Sequence, residues 1–317
     1  MQITYAVPTL IDREALNDAA NPLGIEGIEY IEYRTTRAQA LGHVLELLGF
    51  RPVARHRSRE ILLYRQGAMN VIVNAHRAAH AAAHATARAT ARATAHTAAL
   101  AAEPEATTLA AIALRVRDAG AAHGRALALG AWDVPVQVEP MELHIPAIHG
   151  VGSSRIYFVD RWRDFSIYDV DFVPMPGVDM QPPAMAGLHW FGVVQYIGIG
   201  RTADWIEFYG AVFGFTLLGE ERETGVLPNG VVLKSPDGSL QLQLIEPDPD
   251  AGDGDELLQR VAFAAPDVPA AAAALRARGV TFVETAKLHV EPRGALTQTW
   301  LGSVMFELVH SERQESD

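Results

Sequence analysis

The chain of 317 residues contains no cysteine, which removes disulfides, thiolate metal sites and cysteine nucleophiles at once. It also lacks any excess of basic residues: 26 Lys and Arg stand against 38 Asp and Glu, a net charge of −12. A surface of that sign repels phosphates, so nucleic acid and anionic membrane surfaces are excluded as general partners. No long uncharged apolar run offers a membrane span, and the opening Met1-Gln-Ile-Thr-Tyr-Ala-Val has no basic-then-apolar signal pattern. The expected location is the cytoplasm.

What is present is the composition of a soluble globular protein, 49% apolar and 20% charged, at a length that suggests two domains. The order of patterns repeats. Residues 1–21 read as a leader with a short helix. In the first half an alternating run, Ile25 to Tyr33, is followed by a helical pattern from Ala38 to Leu48 and by two strands, Glu60–Tyr64 and Met69–Asn74. In the second half Val193–Ile197, the helix Ala203–Val212 and the strands Val231–Lys234 and Leu240–Ile245 follow in the same order. Each half then repeats the theme. Ala111–Asp118 with its helix up to Leu129 matches Arg260–Asp267 with its helix up to Arg278, and each half closes on strands. Strands mixed with helices on one side give an α+β class. The expected domains are 1–174 and 188–317, joined by a Pro-rich linker over 175–187.

One segment departs from the pattern. Residues 76–108 are low-complexity Ala, His, Arg and Thr. His76, His80 and His84 would share one face of a helix, a spacing able to hold Zn²⁺ or Ni²⁺. The composition itself reads as an exposed helical insertion without a native ligand.

The closing stretch, Gly302 to His310, alternates as a strand and carries Glu307 among mostly apolar neighbours. A buried carboxylate is costly unless a cation, a metal or hydrogen-bond donors compensate it. Glu307 is thus either a site residue or a surface residue of an edge strand, and its neighbours decide which.

Several segments together resemble bacterial 4-hydroxyphenylpyruvate dioxygenases: Asn21-Pro-Leu-Gly24, His56-Arg-Ser-Arg59, Leu63-Tyr-Arg-Gln-Gly67, Ile156-Tyr-Phe-Val-Asp160 and Ser166-Ile-Tyr-Asp-Val-Asp-Phe172 in the first half, and Gly200-Arg201, Trp205, Phe208-Tyr209 and Gly214-Phe215 in the second. The likeness spans Asn21 to Val309. It implies the vicinal-oxygen-chelate architecture, tandem βαβββ modules that pair into two cupped half-barrel domains. It also implies an Fe(II) centre held in the C-terminal cup by two His and one Glu, with three positions open to a 2-oxo acid and dioxygen. Glu307 stands at the position of the family's Glu. The family's second His is replaced by Arg260, in Gln259-Arg-Val-Ala-Phe263. The first falls on Val193 or Gln195, neither a His. His189 is the substitute metal ligand nearest in sequence.

These residues carry three readings. In one, the C-terminal cup binds a small acidic, 2-oxo acid-like metabolite without metal, Arg260 supplying the positive charge beside Glu307. Glu307 can then act as a base, and Gln195, Gln241 and Gln243 line the cup, unless these amides serve as cross-strand hydrogen bonders. In the second, Fe(II) is kept by Glu307 and replacement ligands such as His189, and the protein is an aromatic 2-oxo acid dioxygenase. In the third the protein is a non-catalytic ligand-binding or interaction protein. The expected partners are the acidic metabolite and, for an oligomer, copies of the same chain.

Overall fold

The computed structural model describes residues 20–75, 107–135, 142–163, 165–219, 230–248, 254–286 and 288–311. The low-complexity segment falls outside these residues up to 106, together with its three spaced histidines; Thr108 already belongs to a strand.

Two sheets account for the strands. The first is built from β1 (Ile28–Arg34), α1 (Ala38–Leu47), β2 (Arg51–His56), β3 (Ile61–Gln66) and β4 (Met69–Asn74), then β5 (Thr108–Arg115), α2 (Ala119–Ala128), β6 (Ala147–His149), β7 (Arg155–Val159), α3 (Ile167–Asp171) and β8 (Phe172–Pro174). The second follows with β9 (His189–Tyr196), α4 (Thr202–Phe213), β10 (Thr216–Leu217), β11 (Val231–Lys234), β12 (Gln241–Ile245), β13 (Leu257–Ala265), α5 (Val268–Ala277), β14 (Gly294–Leu296) and β15 (Phe306–His310). Their orders are β6-β7-β5-β1-β4-β3-β2-β8 and β10-β11-β12-β9-β13-β15-β14. Without β8 these orders are equivalent: β1 and β9 each pair in parallel with the last strand of their own module and antiparallel with the first strand of the next. This is the α+β class expected from the repeat, in the tandem half-barrel form that the resemblance implies. In both second modules one strand shrinks to an isolated bridge, Asp133 to Ile148 and Phe282 to Thr297.

The repeat is local as well as topological. Asp118 and Asp267 cap α2 and α5 by accepting from the backbone N–H three residues on, at 2.8 and 2.9 Å. Gly214 ends α4 in the left-handed conformation, φ +75°, where an L side chain is strained.

Two corrections to the sequence reading concern strands. The last strand begins at Phe306 rather than Gly302, because Leu301 and Gly302 take positive φ and Trp300 bridges Val304 in a tight turn. The alternation in β1 does not separate core from solvent. Every residue of β1 is buried, and its polar positions face a covered cup.

The apolar faces of both sheets and their helices form one cluster that runs through both halves. Phe306 stacks on Phe263 at 5.5 Å and reaches Tyr33 of the first half at 6.3 Å; Phe50 lies 6.0 Å from Phe263 and Phe158 6.2 Å from Phe213. The two halves meet through this one cluster. A smaller cluster fills the concave side of the first sheet, where Tyr168 and Phe172 pack on Tyr30, Val53 and Ile72. The segment after β8 is tied to the first half, since Arg65 donates to Met180 O at 2.9 Å and Met185 N to Gln66 at 2.9 Å. No helix among the described residues is long and apolar enough to cross a membrane.

Phe306→Ala should cost about 3–5 kcal/mol, since it empties the point where three rings of both halves meet. Urea unfolding of the whole chain measures it, and a loss under about 1 kcal/mol would show that the shared core does not bear on that ring.

Candidate functional site

The concave face of the second sheet is set by register. Glu307, Ala262, Gly192 and Gln241 are successive partners across four strands, so they form one row on one face. Arg260, Val194, Gln243 and Val232 form the next row. The first row is floored by its smallest members. Gly192 is required there, because a Cβ at that position would lie 2.0 Å from the carbonyl oxygen of Gln241. The hollow above is lined by Phe191, Val194, Val232, Gln241, Gln243 and Glu307 among others.

Beside it lies a buried ion pair. Arg260 Nε donates to Glu307 Oε2 at 2.7 Å, and both side chains are 1% exposed. A break in the β9–β13 register at Gln259 sets that residue next to Arg260 on the same side, where its Oε1 accepts from Arg260 Nη1 at 2.9 Å. Among the described residues Arg260 Nη2 is buried with no hydrogen-bond partner, and so is Oε1 of Gln241. A guanidinium with one unused donor, held rigid by a carboxylate and an amide, is suited to an anionic acceptor.

The other residues singled out from the sequence lie elsewhere. Gln195 faces the opposite side of β9, where it accepts a hydrogen bond from the Tyr209 hydroxyl at 3.0 Å. Burial in that apolar layer pushes the Tyr209 hydroxyl pKa up. Gln195 therefore does not line the hollow, whereas Val193, which pairs with Val261, borders it. The β9 residue between them, Val194, is the one aligned with Arg260. A one-residue step along a strand reverses the face, and a sequence gap of one residue hides that step. Gln241 and Gln243 both line the hollow. His189 pairs with Ala264, which pairs with Val309, so it lies two strand spacings, roughly 10 Å, from β15. It is half-buried, with Nδ1 3.0 Å from Gly187 O. Sequence reasoning missed the role of Gly192, whose signal is a glycine inside a strand run.

The donor set does not fit the Fe(II) centre that the resemblance implies. The positions around Glu307 are Ala262, Gly192, Val194 and Arg260, and no group of three His, Asp or Glu that could hold a metal occurs among the described residues. A divalent cation at Glu307 would stand beside a guanidinium of like charge, which opposes its binding.

The chain matches known proteins along most of its described length. The family model "Hydroxyphenylpyruvate dioxygenase, HPPD, N-terminal" covers residues 19–173, and that of the "Glyoxalase/Bleomycin resistance protein/Dioxygenase superfamily" covers 187–297. A 4-hydroxyphenylpyruvate dioxygenase from a Pseudomonas species is 34% identical over 71% of this chain and 59% of its own length. Hemolysin VllY of Vibrio vulnificus is 32% identical over 84% of this chain and 74% of its own. Among solved structures, a xylose isomerase-like TIM barrel/4-hydroxyphenylpyruvate dioxygenase fusion protein superposes with a TM-score of 0.68 at 22% identity, covering 93% of this chain and 50% of that one. The chain thus spans about three fifths of the Pseudomonas relative and half of the fusion protein. With the repeat, the sheet orders and these matches in agreement, the chain belongs to the 4-hydroxyphenylpyruvate dioxygenase family of the vicinal-oxygen-chelate superfamily.

Proposed function

We propose that the C-terminal cup binds a small acidic metabolite of the 2-oxo acid type, with Arg260 in place of a metal ion. The observation that carries this reading is the buried guanidinium of Arg260, fixed by Glu307 and Gln259 with Nη2 left unpaired. Each of its anchors holds one donor in place, so binding an acceptor costs little further ordering. Gln241 and Gln243 would orient the remainder of the ligand across the row. Glu307, on the hollow's wall, is the residue placed to accept a proton from the ligand. The net charge of −12 makes a small molecule a better partner than nucleic acid.

Family membership and Glu307 favour a second reading, an Fe(II)-dependent dioxygenase with replacement ligands; a non-catalytic ligand sensor would use the same cup without turnover. Iron analysis of the purified protein separates the metal reading from the other two. Stoichiometric iron that is lost in Glu307→Ala would move the conclusion to the dioxygenase.

Glu307→Ala leaves a buried guanidinium without its carboxylate and should destabilise the chain by about 3–5 kcal/mol. Replacing both partners, Arg260→Met with Glu307→Leu, should recover most of that, because an apolar pair of similar volume carries no desolvation cost. Chemical denaturation checks both. If the double variant is no more stable than Glu307→Ala, the pair is not the reason for the loss.

The same double variant tests the ligand. Calorimetric titration with 4-hydroxyphenylpyruvate and with pyruvate should show saturable binding to the wild type of at least one acid. The double variant should bind it roughly ten- to a hundredfold more weakly, the effect of about 1.5–3 kcal/mol for a charged hydrogen bond. Equal affinity in a folded double variant would sink the proposal.

A further inference from the structure

The cup of the first sheet carries its own buried guanidinium with unused donors. From β1, Glu32 and Arg34 project to the concave side, on which Tyr30 and Ile72 also lie. Glu32 pairs with Ala111 of β5, and Ala111 with Arg155 of β7, so a carboxylate and a guanidinium face each other across a small residue.

Arg34 is 4% exposed, and its Nε and Nη2 are buried with no hydrogen-bond partner among the described residues. These two donors lie on one edge of the guanidinium plane and point the same way, forming the fork that matches both oxygens of a carboxylate. Glu32 does not fill the fork. Its Oε1 lies 3.5 Å from Arg34 Nε, outside hydrogen-bond geometry, and accepts instead from Asn74 Nδ2 at 2.9 Å. Nor does the other buried carboxylate of the cup, since Glu29 accepts from Arg115 Nε at 2.6 Å.

Arg155 adds a second cation on the facing strand, its Nη1 donating to the Tyr157 hydroxyl at 3.2 Å. Arg34, Arg155 and Glu32 all act electrostatically on Tyr157, and Arg155 together with burial lowers the His149 pKa. Arg34 is ion-paired with Glu32 and Arg155 is half-buried, so what the cup lacks is an acceptor rather than a counter-charge. Buried donors without an acceptor cost stability, and the unused donors of Arg34 say where one would sit.

We propose that the N-terminal cup holds a second binding site, for a small oxyanion of the carboxylate or bicarbonate type, seated on the Nε and Nη2 edge of Arg34. Tyr168 and Phe172 cover this cup, and Ala111 and Ala113 form its floor, so the ligand is an ion of a few heavy atoms. The site is independent of the C-terminal one and stands whether or not that cup binds a 2-oxo acid.

The test is titration of the whole chain with formate, acetate and bicarbonate at constant ionic strength, followed by calorimetry and thermal denaturation against chloride. At least one ion should bind saturably and raise the melting temperature, and the tightest of the three separates an organic carboxylate from inorganic carbonate. Arg34→Lys keeps the charge and removes the fork, and should weaken binding by roughly tenfold or more. Glu32→Gln removes the competing carboxylate and should tighten it. The Arg260→Met, Glu307→Leu double variant should retain it. Absence of saturable binding, binding unchanged in Arg34→Lys or in Glu32→Gln, or binding lost in the double variant overturns the proposal. Should Arg34→Lys fail to fold, Glu32→Gln and the double variant decide.

Discussion

A guanidinium and a carboxylate withdrawn together from water govern the second half of this protein. Neither Arg260 nor Glu307 could sit at 1% exposure alone, because the solvation that each gives up exceeds anything an apolar neighbour returns. Their positions are set by backbone features rather than by the pair itself. The register break at Gln259 turns Arg260 toward β15, Gly192 lets β9 and β12 approach, and the stacked rings of Phe263 and Phe306 hold β13 against β15 from the reverse side. The pair also decides the chemistry open to the cup. A carboxylate already committed to a guanidinium is a poor ligand for a divalent cation, whereas a guanidinium already anchored is a good one for an acid.

The two cups share one framework and hold different contents. Val193 lies between Leu242 and Val261 as Ile31 lies between Val71 and Ile112. In that correspondence Glu32 takes the place of Val194, Ala111 that of Arg260, and Tyr157 that of Glu307. The strand order has been kept in both halves while the inward residues have diverged, as expected when a sheet is held by its reverse face and its concave face is free to change. The first cup is further covered by its own chain, since β8 pairs with β2 and α3 brings Tyr168 over the floor.

Much of this was legible in the sequence, and the failures have physical causes. The repeat and the helix ends at Gly49, Gly130 and Gly279 follow from alternation and from glycine at positive φ, while the nearness of Arg260 to Glu307 came from the resemblance, which sets both at ligand positions. Gln195 was misplaced because the face of a strand depends on a single-residue register, which composition does not encode. Arg34 went unremarked because a charged residue ending an alternating run reads as solvent-facing; only the coverage of that face by residues more than a hundred positions away makes it buried. The shared core was also invisible, since apolar patterning says that a face is covered without naming what covers it.

That core has a consequence for how the molecule can be lost or changed. Tyr33, Phe50 and Phe158 find their ring partners in the other half of the chain, so a cut between β8 and β9 would leave two wide apolar surfaces in water, each the size of a sheet with its helices. The two halves look like duplicated domains in topology but share one apolar core, and a shared core of this kind is expected to melt in a single step rather than half by half.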